Sequence, residues 1–402
     1  MTDTKNFALN RRKLLQATAG GALATGLATA NLPAMAQEAT PLPQEVGAGF
    51  SPEIQLALHQ IVERNLAATE SPGALVGVWY PGRGEWQHAS GIANLETGEA
   101  VTLDDHVRIA SNTKTFVATV VLQLVDEGLI GLDDPIEDYV AGIPNGTTIT
   151  VRQVLGMTAG IADVVSVPEI AAEYAANPLI SMSPEDSLAW IRESTPDYVP
   201  GTQIAYSNSN YIILGFLIEA VTGNSPAKEI ENRLIAPLSL TGTSFPLTPS
   251  MPEPVMHGYF AENLGDPLID VTRSNPNFPW TAGAMISTLA DLRTWVEALA
   301  TGSMLLSAET LAERDTWSSL SPIAGYGLGL LTLRGLVGHN GGIAGYSSWM
   351  LHNPDNGFTV VIVVNRAGEQ GGSADPFLGD ILQLFPEVTT APEAAPAATP
   401  AA

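Results

Sequence analysis

Apolar and polar positions change their rhythm three times along the 402 residues. Between Pro52 and Ala68 apolar residues recur at helical spacing, predicting a first helix. Ala74–Tyr80 and Trp86–Ala93 then read as strands joined by the Pro81-Gly82-Arg83-Gly84 turn. Phe116, Val117, Val120, Val121, Leu124 and Val125 return to the helical period, and Gly128 supplies a stop, so a helix beginning near Ser111 is expected. The middle of the chain, Leu132 to Val271, is richer in helical patterns: Val151–Met157, Pro184–Ser194 and Ser209–Val221. Near the C-terminus the strand rhythm reappears at Tyr326–Leu333, Gly345–Leu351 and Phe358–Val364, the last two linked by Asn353-Pro354-Asp355-Asn356-Gly357.

Strands at both ends with helices between them predict an α+β fold. One antiparallel sheet is built from both chain ends and flanked by helices, with an inserted, mostly helical subdomain. The expected boundaries are 51–131 and 272–388 for the sheet-bearing part and 132–271 for the helical part. A functional cleft is expected where the two parts meet.

The ends of the chain follow no such rhythm. Arg11-Arg12-Lys13 followed by the mild Ala/Gly/Leu/Thr stretch Ala17–Leu32 and the small-residue site Ala34-Met35-Ala36 reads as a twin-arginine export signal over 1–36. Residues 37–50 read as a Pro/Ala/Glu linker and 389–402 as a disordered Pro/Ala tail. Cleavage would leave an exported, periplasmic or secreted protein that does not span the membrane. The chain carries 17 basic and 42 acidic residues. Without the signal 13 and 41 remain, a formal charge of −28, which argues against nucleic acid or an anionic membrane surface as partner. No cysteine is present, and the six histidines show no zinc-site spacing, so neither a metal nor a cofactor is expected.

Ser111-Asn112-Thr113-Lys114 offers a hydroxyl and an amine on one helix face. A serine hydroxyl needs an adjacent base to act as a nucleophile at neutral pH, and a desolvated, neutral lysine can be that base. The pattern alone is weak: Ser111 could be a mere N-cap. A second copy, Ser225-Pro226-Ala227-Lys228, reads better as an N-cap followed by proline at the first helical position. Tyr206-Ser207-Asn208 puts a phenol and a carboxamide two residues apart before a helix. A nearby ammonium would lower the phenol's pKa and let it shuttle a proton, and the carboxamide could hold a substrate amide. The structural alternative is a tyrosine packed at a helix start. Gly338-His339-Asn340-Gly341-Gly342 allows close backbone approach along a strand edge, and His339 would add a titratable positive group. Here the alternative is a Gly-rich hairpin turn with a surface histidine.

Ser-x-x-Lys, Tyr-x-Asn and a His-x-Gly strand, in that order, resemble the penicillin-recognising serine hydrolases, the class C β-lactamase-like and D-alanyl-D-alanine carboxypeptidase group with its related D-aminopeptidases and esterases. The likeness runs through Arg108–Lys114, Leu122–Gly128, Thr150–Leu155, Tyr206–Gly215, Thr281–Ser287, Gly325–Leu330 and Gly338–Ser347, and spans Ser51 to Arg366. It implies a β-lactamase/transpeptidase-like fold and an acyl-enzyme on Ser111. Lys114 would serve as base and Tyr206 as proton carrier, while Asn208 would hold the substrate amide. His339, Asn340, Gly341 and Gly342 would bind substrate, with the N–H groups of Ser111 and Gly342 receiving the oxyanion. The implied partners are a small peptide, amide or ester, including cell-wall peptides and β-lactams.

In carboxypeptidases of this group an arginine follows the Gly-Tyr-Gly-Leu-Gly-Leu stretch and, with threonines of the third motif, grips the substrate carboxylate. This chain has Leu331 there, Asn340 and Gly342 in place of the threonines, and Arg334 on the opposite strand face. The leading expectation is an exported hydrolase of D-amino-acid peptides or amides. The alternatives are a carboxylesterase or β-lactamase of the same family, and a non-catalytic penicillin-binding sensor.

Overall fold

The structure is a computed structural model that describes residues 49–167, 170, 182–261, 263–302, 304–368 and 372–389. The expected signal, nearly all of the linker and all of the tail except Thr389 lie outside those residues.

Nine strands make one antiparallel sheet. In chain order they are β1 (Gly73–Tyr80), β2 (Gly84–Asn94), β3 (Glu99–Ala100), β4 (Ser318–Ser321), β5 (Ala324–Tyr326), β6 (Leu331–Leu333), β7 (Leu336–Ile343), β8 (Tyr346–His352) and β9 (Thr359–Val364). The spatial order is β3-β2-β1-β9-β8-β7-β6-β5-β4, so the first three strands pair with the last six through β1 and β9. Those two central strands are buried along almost their whole length, which accounts for their near-continuous apolar runs in place of an alternating pattern.

Helices cover both faces. Helix α1 (Pro52–Thr69) starts where the Ser51 hydroxyl accepts from the Ile54 N–H and Pro52 takes the first helical position. It packs against α5 (Asp375–Leu384) on one side of the sheet. On the other side lies α4 (Leu289–Thr301), capped by the Thr288 hydroxyl and closed by left-handed Gly302. Strand alternation separates the layers. The Trp79 ring lies 4.7 Å from the Arg293 guanidinium of α4, and its neighbour Tyr80 turns the other way to Phe358 and Phe385.

The interior is continued by α2 (Thr113–Asp126) and α3 (Asn208–Thr222), which pack on each other. Eleven residues of the 14-residue α2 are buried, so this helix runs through the core and the Lys114 side chain is buried with it. Among the described residues no helix is long and apolar enough to cross a membrane.

Two expectations change here. Tyr326–Leu333 is a hairpin and not one strand: β5 and β6 pair antiparallel through Tyr326 and Leu331, and Gly327–Leu330 form the turn, with Gly329 at φ 97°. Alternation alone could not reveal that break, because both limbs are apolar and buried. Arg334 occupies the β6–β7 turn, about eight residues or roughly 25 Å of extended strand from Gly342. It cannot stand in for a carboxylate-binding arginine at the site.

Candidate active site

Ser111 stands at the crossing of sheet and helices. Val107–Arg108 pairs with Ile286–Ser287, and Ile109 N–H donates to the Met285 carbonyl at 3.0 Å, which pins the approaching chain. A single 3-10 turn, Ala110–Asn112, then leads into α2, so the α-helix proper starts two residues after Ser111. Ala110 holds φ 50°, a left-handed conformation unfavourable for a residue with a Cβ, and it is the bend that points Ser111 into the cleft. The turn lies hard against β7. A Cβ on Gly341 would come within 2.3 Å of the Ile109 carbonyl, so only glycine allows this approach.

The Lys114 amine donates to Ser111 Oγ at 3.1 Å, to Asn208 Oδ1 at 2.8 Å and to the Ala282 carbonyl at 2.7 Å. Its side chain is fully buried, and loss of hydration lowers its pKa from 10.5 to about 7, against the opposing pull of Asp163. A lysine so placed is half neutral near pH 7 and can accept the serine proton. The Tyr206 ring centroid is 4.8 Å from the amine, and the phenol hydroxyl shares a hydrogen bond with Ser111.

The phenol behaves opposite to expectation. Burial, with Tyr326 alongside, pushes the Tyr206 pKa well above the usual tyrosine value, and the bond to Ser111 offsets this only in part. The expected lowering needed a permanent ammonium beside it, and Lys114 is too desolvated to supply one. Tyr206 therefore carries its proton at neutral pH.

His339 also departs from expectation. It is fully buried, and desolvation takes its pKa from 6.5 to about 3, so it is neutral at physiological pH. Nδ1–H donates to the Asn340 carbonyl at 2.5 Å, and Nε2 accepts from the Tyr326 hydroxyl at 3.3 Å. With its ring 6.3 Å from that of Tyr206, it backs the phenol and offers no charge to a substrate. Asn208 is equally committed: its Oδ1 holds Lys114, its Nδ2 donates to Asp163 Oδ2 at 3.2 Å, and its N–H donates to Asp163 Oδ1 at 3.0 Å. Each end of the carboxamide thus holds one protein partner and keeps one further hydrogen-bonding position, and Asn208 also lines the cleft beside Ser111.

The third motif lies in β7. Strand β8 covers one edge of β7 through Ile343, whereas β6 covers the other only as far as Gly338. Half-buried Asn340, then Gly341 and Gly342, follow along an edge that no described strand occupies. Gly342, Asn208 and Ser111 line the same open cleft, whose remaining walls are largely apolar: Val165, Ile212, Phe278, Pro279 and Ile343. None of the residues lining it is cationic. The structure thus gathers Ser111, Lys114, Tyr206, Asn208 and His339 around one point, with Gly342 across the cleft. Among the described residues no group of His, Asp or Glu could hold a metal ion.

Sequence reasoning passed over Asp163, the Ala282 carbonyl and the apolar walls. Asp163 is 45 residues from Asn208, and nothing local in Gly160-Ile161-Ala162-Asp163 marks it.

A family model described as Beta-lactamase matches residues 58–383. Among curated proteins, Protein flp of Staphylococcus aureus (strain N315) is 29% identical over 329 residues, covering 78% of this chain; the chain spans 64% of that relative's length. Among solved structures, a D-stereospecific amidohydrolase from Streptomyces sp. is 35% identical with a TM-score of 0.73, over 81% of this chain and 97% of the other. A D-amino acid amidase from Ochrobactrum anthropi SV3, complexed with L-phenylalanine amide, is 26% identical with a TM-score of 0.71, over 83% and 99%.

Proposed function

The chain belongs to the beta-lactamase family and is a serine hydrolase, and on that premise we propose that it hydrolyses D-amino-acid amides and short D-amino-acid peptides through an acyl-enzyme on Ser111. The observation that carries this reading is the cleft itself. Ser111 has a neutralisable lysine behind it, a free β7 edge on one side and apolar walls on the other, and no cation lines the cleft among the described residues to receive a terminal carboxylate. An amide or peptide with an uncharged leaving end fits such a cleft better than a carboxypeptidase substrate does. The D-stereospecific amidohydrolase and D-amino acid amidase relatives support the same choice.

In the proposed sequence neutral Lys114 takes the Ser111 proton as Oγ attacks the acyl carbonyl. The N–H groups of Ser111 and Gly342 receive the oxyanion, a contribution of about 3–4 kcal/mol per donor. Tyr206, held protonated, gives its proton to the leaving nitrogen, and the proton on Lys114 makes good the loss. Water then attacks the ester, giving its proton back through the same pair, and Ser111 leaves as the hydroxyl. Asn208 keeps the amine aimed, and His339 and Tyr326 keep the phenol in place. Export by the twin-arginine route is part of the proposal and rests on Arg11-Arg12. Replacing both with lysine should retain the protein in the cytoplasm, and unchanged export would remove that part.

Turnover of D-phenylalaninamide, D-alanyl-D-alanine peptides, p-nitrophenyl acetate and nitrocefin tests the reading. D-amino-acid amides should be cleaved faster than peptides ending in a free carboxylate. Cleavage of the ester with no amide or peptide turned over would instead make the protein a carboxylesterase.

A further inference from the structure

Asp163 lies on the loop after the helix Val151–Leu155, far in sequence from each of the three motifs. Its Oδ1 accepts from the N–H groups of Asn208 at 3.0 Å and Val165 at 3.4 Å. Its Oδ2 accepts from Asn208 Nδ2 at 3.2 Å and from the Ser166 hydroxyl at 3.3 Å. Every one of these partners is a donor, the arrangement that an ionised carboxylate requires. Burial raises its pKa above the ordinary carboxylate value, and the donors from Asn208 and Val165, with Lys114, hold that rise back only in part. Because Oδ1 also receives the first N–H of α3, the carboxylate is tied to the same helix start that carries Asn208.

A carboxamide can present either its oxygen or its nitrogen to a neighbour. Only the oxygen can accept from the Lys114 amine, so the orientation of Asn208 decides whether that amine is held at Ser111. An anion on the far side of the carboxamide forces Nδ2 toward itself and Oδ1 toward Lys114.

We propose that Asp163 is a positioning residue for acylation: it locks the Asn208 carboxamide with Oδ1 toward Lys114 and supplies, among the described residues, the negative charge that faces the buried amine. The other groups around that amine are Ser111, Tyr206, Tyr211, Tyr326 and His339, all uncharged at neutral pH. This inference rests on the reading of Lys114 as the base. It differs from a structural role in the direction of one shift. Removing the charge lowers the amine's affinity for a proton, whereas loosening the pocket lets water in and raises it toward the ordinary lysine value.

The test is the pH dependence of Ser111 phosphonylation by a fluorophosphonate, which needs the base but no particular substrate. In the full chain the rate should rise with pH through about 7. No phosphonylation of the unaltered protein would overturn the acyl-enzyme reading itself. In Asp163→Asn the limb should move down by about one unit, with the plateau rate about tenfold to a hundredfold lower. A limb that stays put, moves up or disappears overturns the proposal, the last because Asp163 itself would then be the titrating group. Asp163→Glu keeps the charge and displaces it. It should lower the plateau and leave the limb in place, and it decides the matter alone if Asp163→Asn does not fold: an unchanged plateau or a raised limb overturns the proposal.

Discussion

At Ser111 and again at Ser225 the chain places a serine hydroxyl three residues ahead of a lysine on the approach to a helix. At the second copy the Ser225 hydroxyl accepts from the Lys228 backbone N–H, Pro226 occupies the first helical position, and the Lys228 amine reaches out to Asn224. Both residues are exposed. At the first copy the serine is not a cap. A 3-10 turn with Ala110 at φ 50° leads in, and the lysine is sealed inside α2 with its amine on the serine oxygen. Spacing alone is common to both. What separates a helix start from the proposed reactive centre is enclosure, because only a desolvated amine gives up its proton near neutral pH.

Breaking the enclosed copy should have the largest effect. Ser111→Ala is expected to lower kcat/KM by about 10⁴-fold or more, measured on whichever amide the substrate panel selects. Lys114→Met should cost about 10²- to 10⁴-fold in the same assay. It also tests the enclosure directly through stability. Below pH 7 the lysine is protonated in both folded and unfolded chains, and the folded chain bears the full cost of burying the charge. Between about 7 and 10.5 only the unfolded chain keeps the proton, so this group makes stability rise with pH by up to about 1.4 kcal/mol per unit. Denaturant titrations should show that rise in the unaltered protein relative to Lys114→Met. Parallel curves across the window would mean that the lysine is not desolvated.

His339 is buried and neutral where an accessible, titratable group was expected, and the reason is physical. A histidine in a Gly-rich stretch reads as accessible, and only the packed hairpin β5–β6 shows that Tyr326 closes over it. His339→Ala should therefore lower stability by about 2 kcal/mol or more, by leaving a cavity and a buried phenol without its acceptor. The limb of acylation near pH 7 should stay in place, because a group with a pKa of about 3 does not titrate there. A limb displaced in that variant would restore a direct role for the imidazole.

The helices and central strands were readable because their periodicity is imposed by burial that repeats along the chain, as in β1, β9 and α2. Ser111 and Lys114 were legible as a pair because they lie three residues apart, and Tyr206 and His339 only through the order of the motifs; the structure brings the four together. The β5–β6 hairpin, the free edge of β7 and the commitment of Asn208 to Asp163 were not legible. Each depends on a contact between distant segments that leaves no local period.

The smallest effect belongs to the exposed copy. Ser225→Ala should cost about 1 kcal/mol as a lost N-cap, seen as a small fall in Tm, and leave turnover unchanged. Loss of turnover would overturn the distinction between the two copies.

Peptide mapping by mass spectrometry after incubation with a fluorophosphonate tests that distinction most directly. The adduct should appear on Ser111 in the unaltered protein and in Lys228→Met, and be strongly reduced in Lys114→Met. An adduct on Ser225, or one on Ser111 that forms equally fast without the Lys114 amine, would contradict the account.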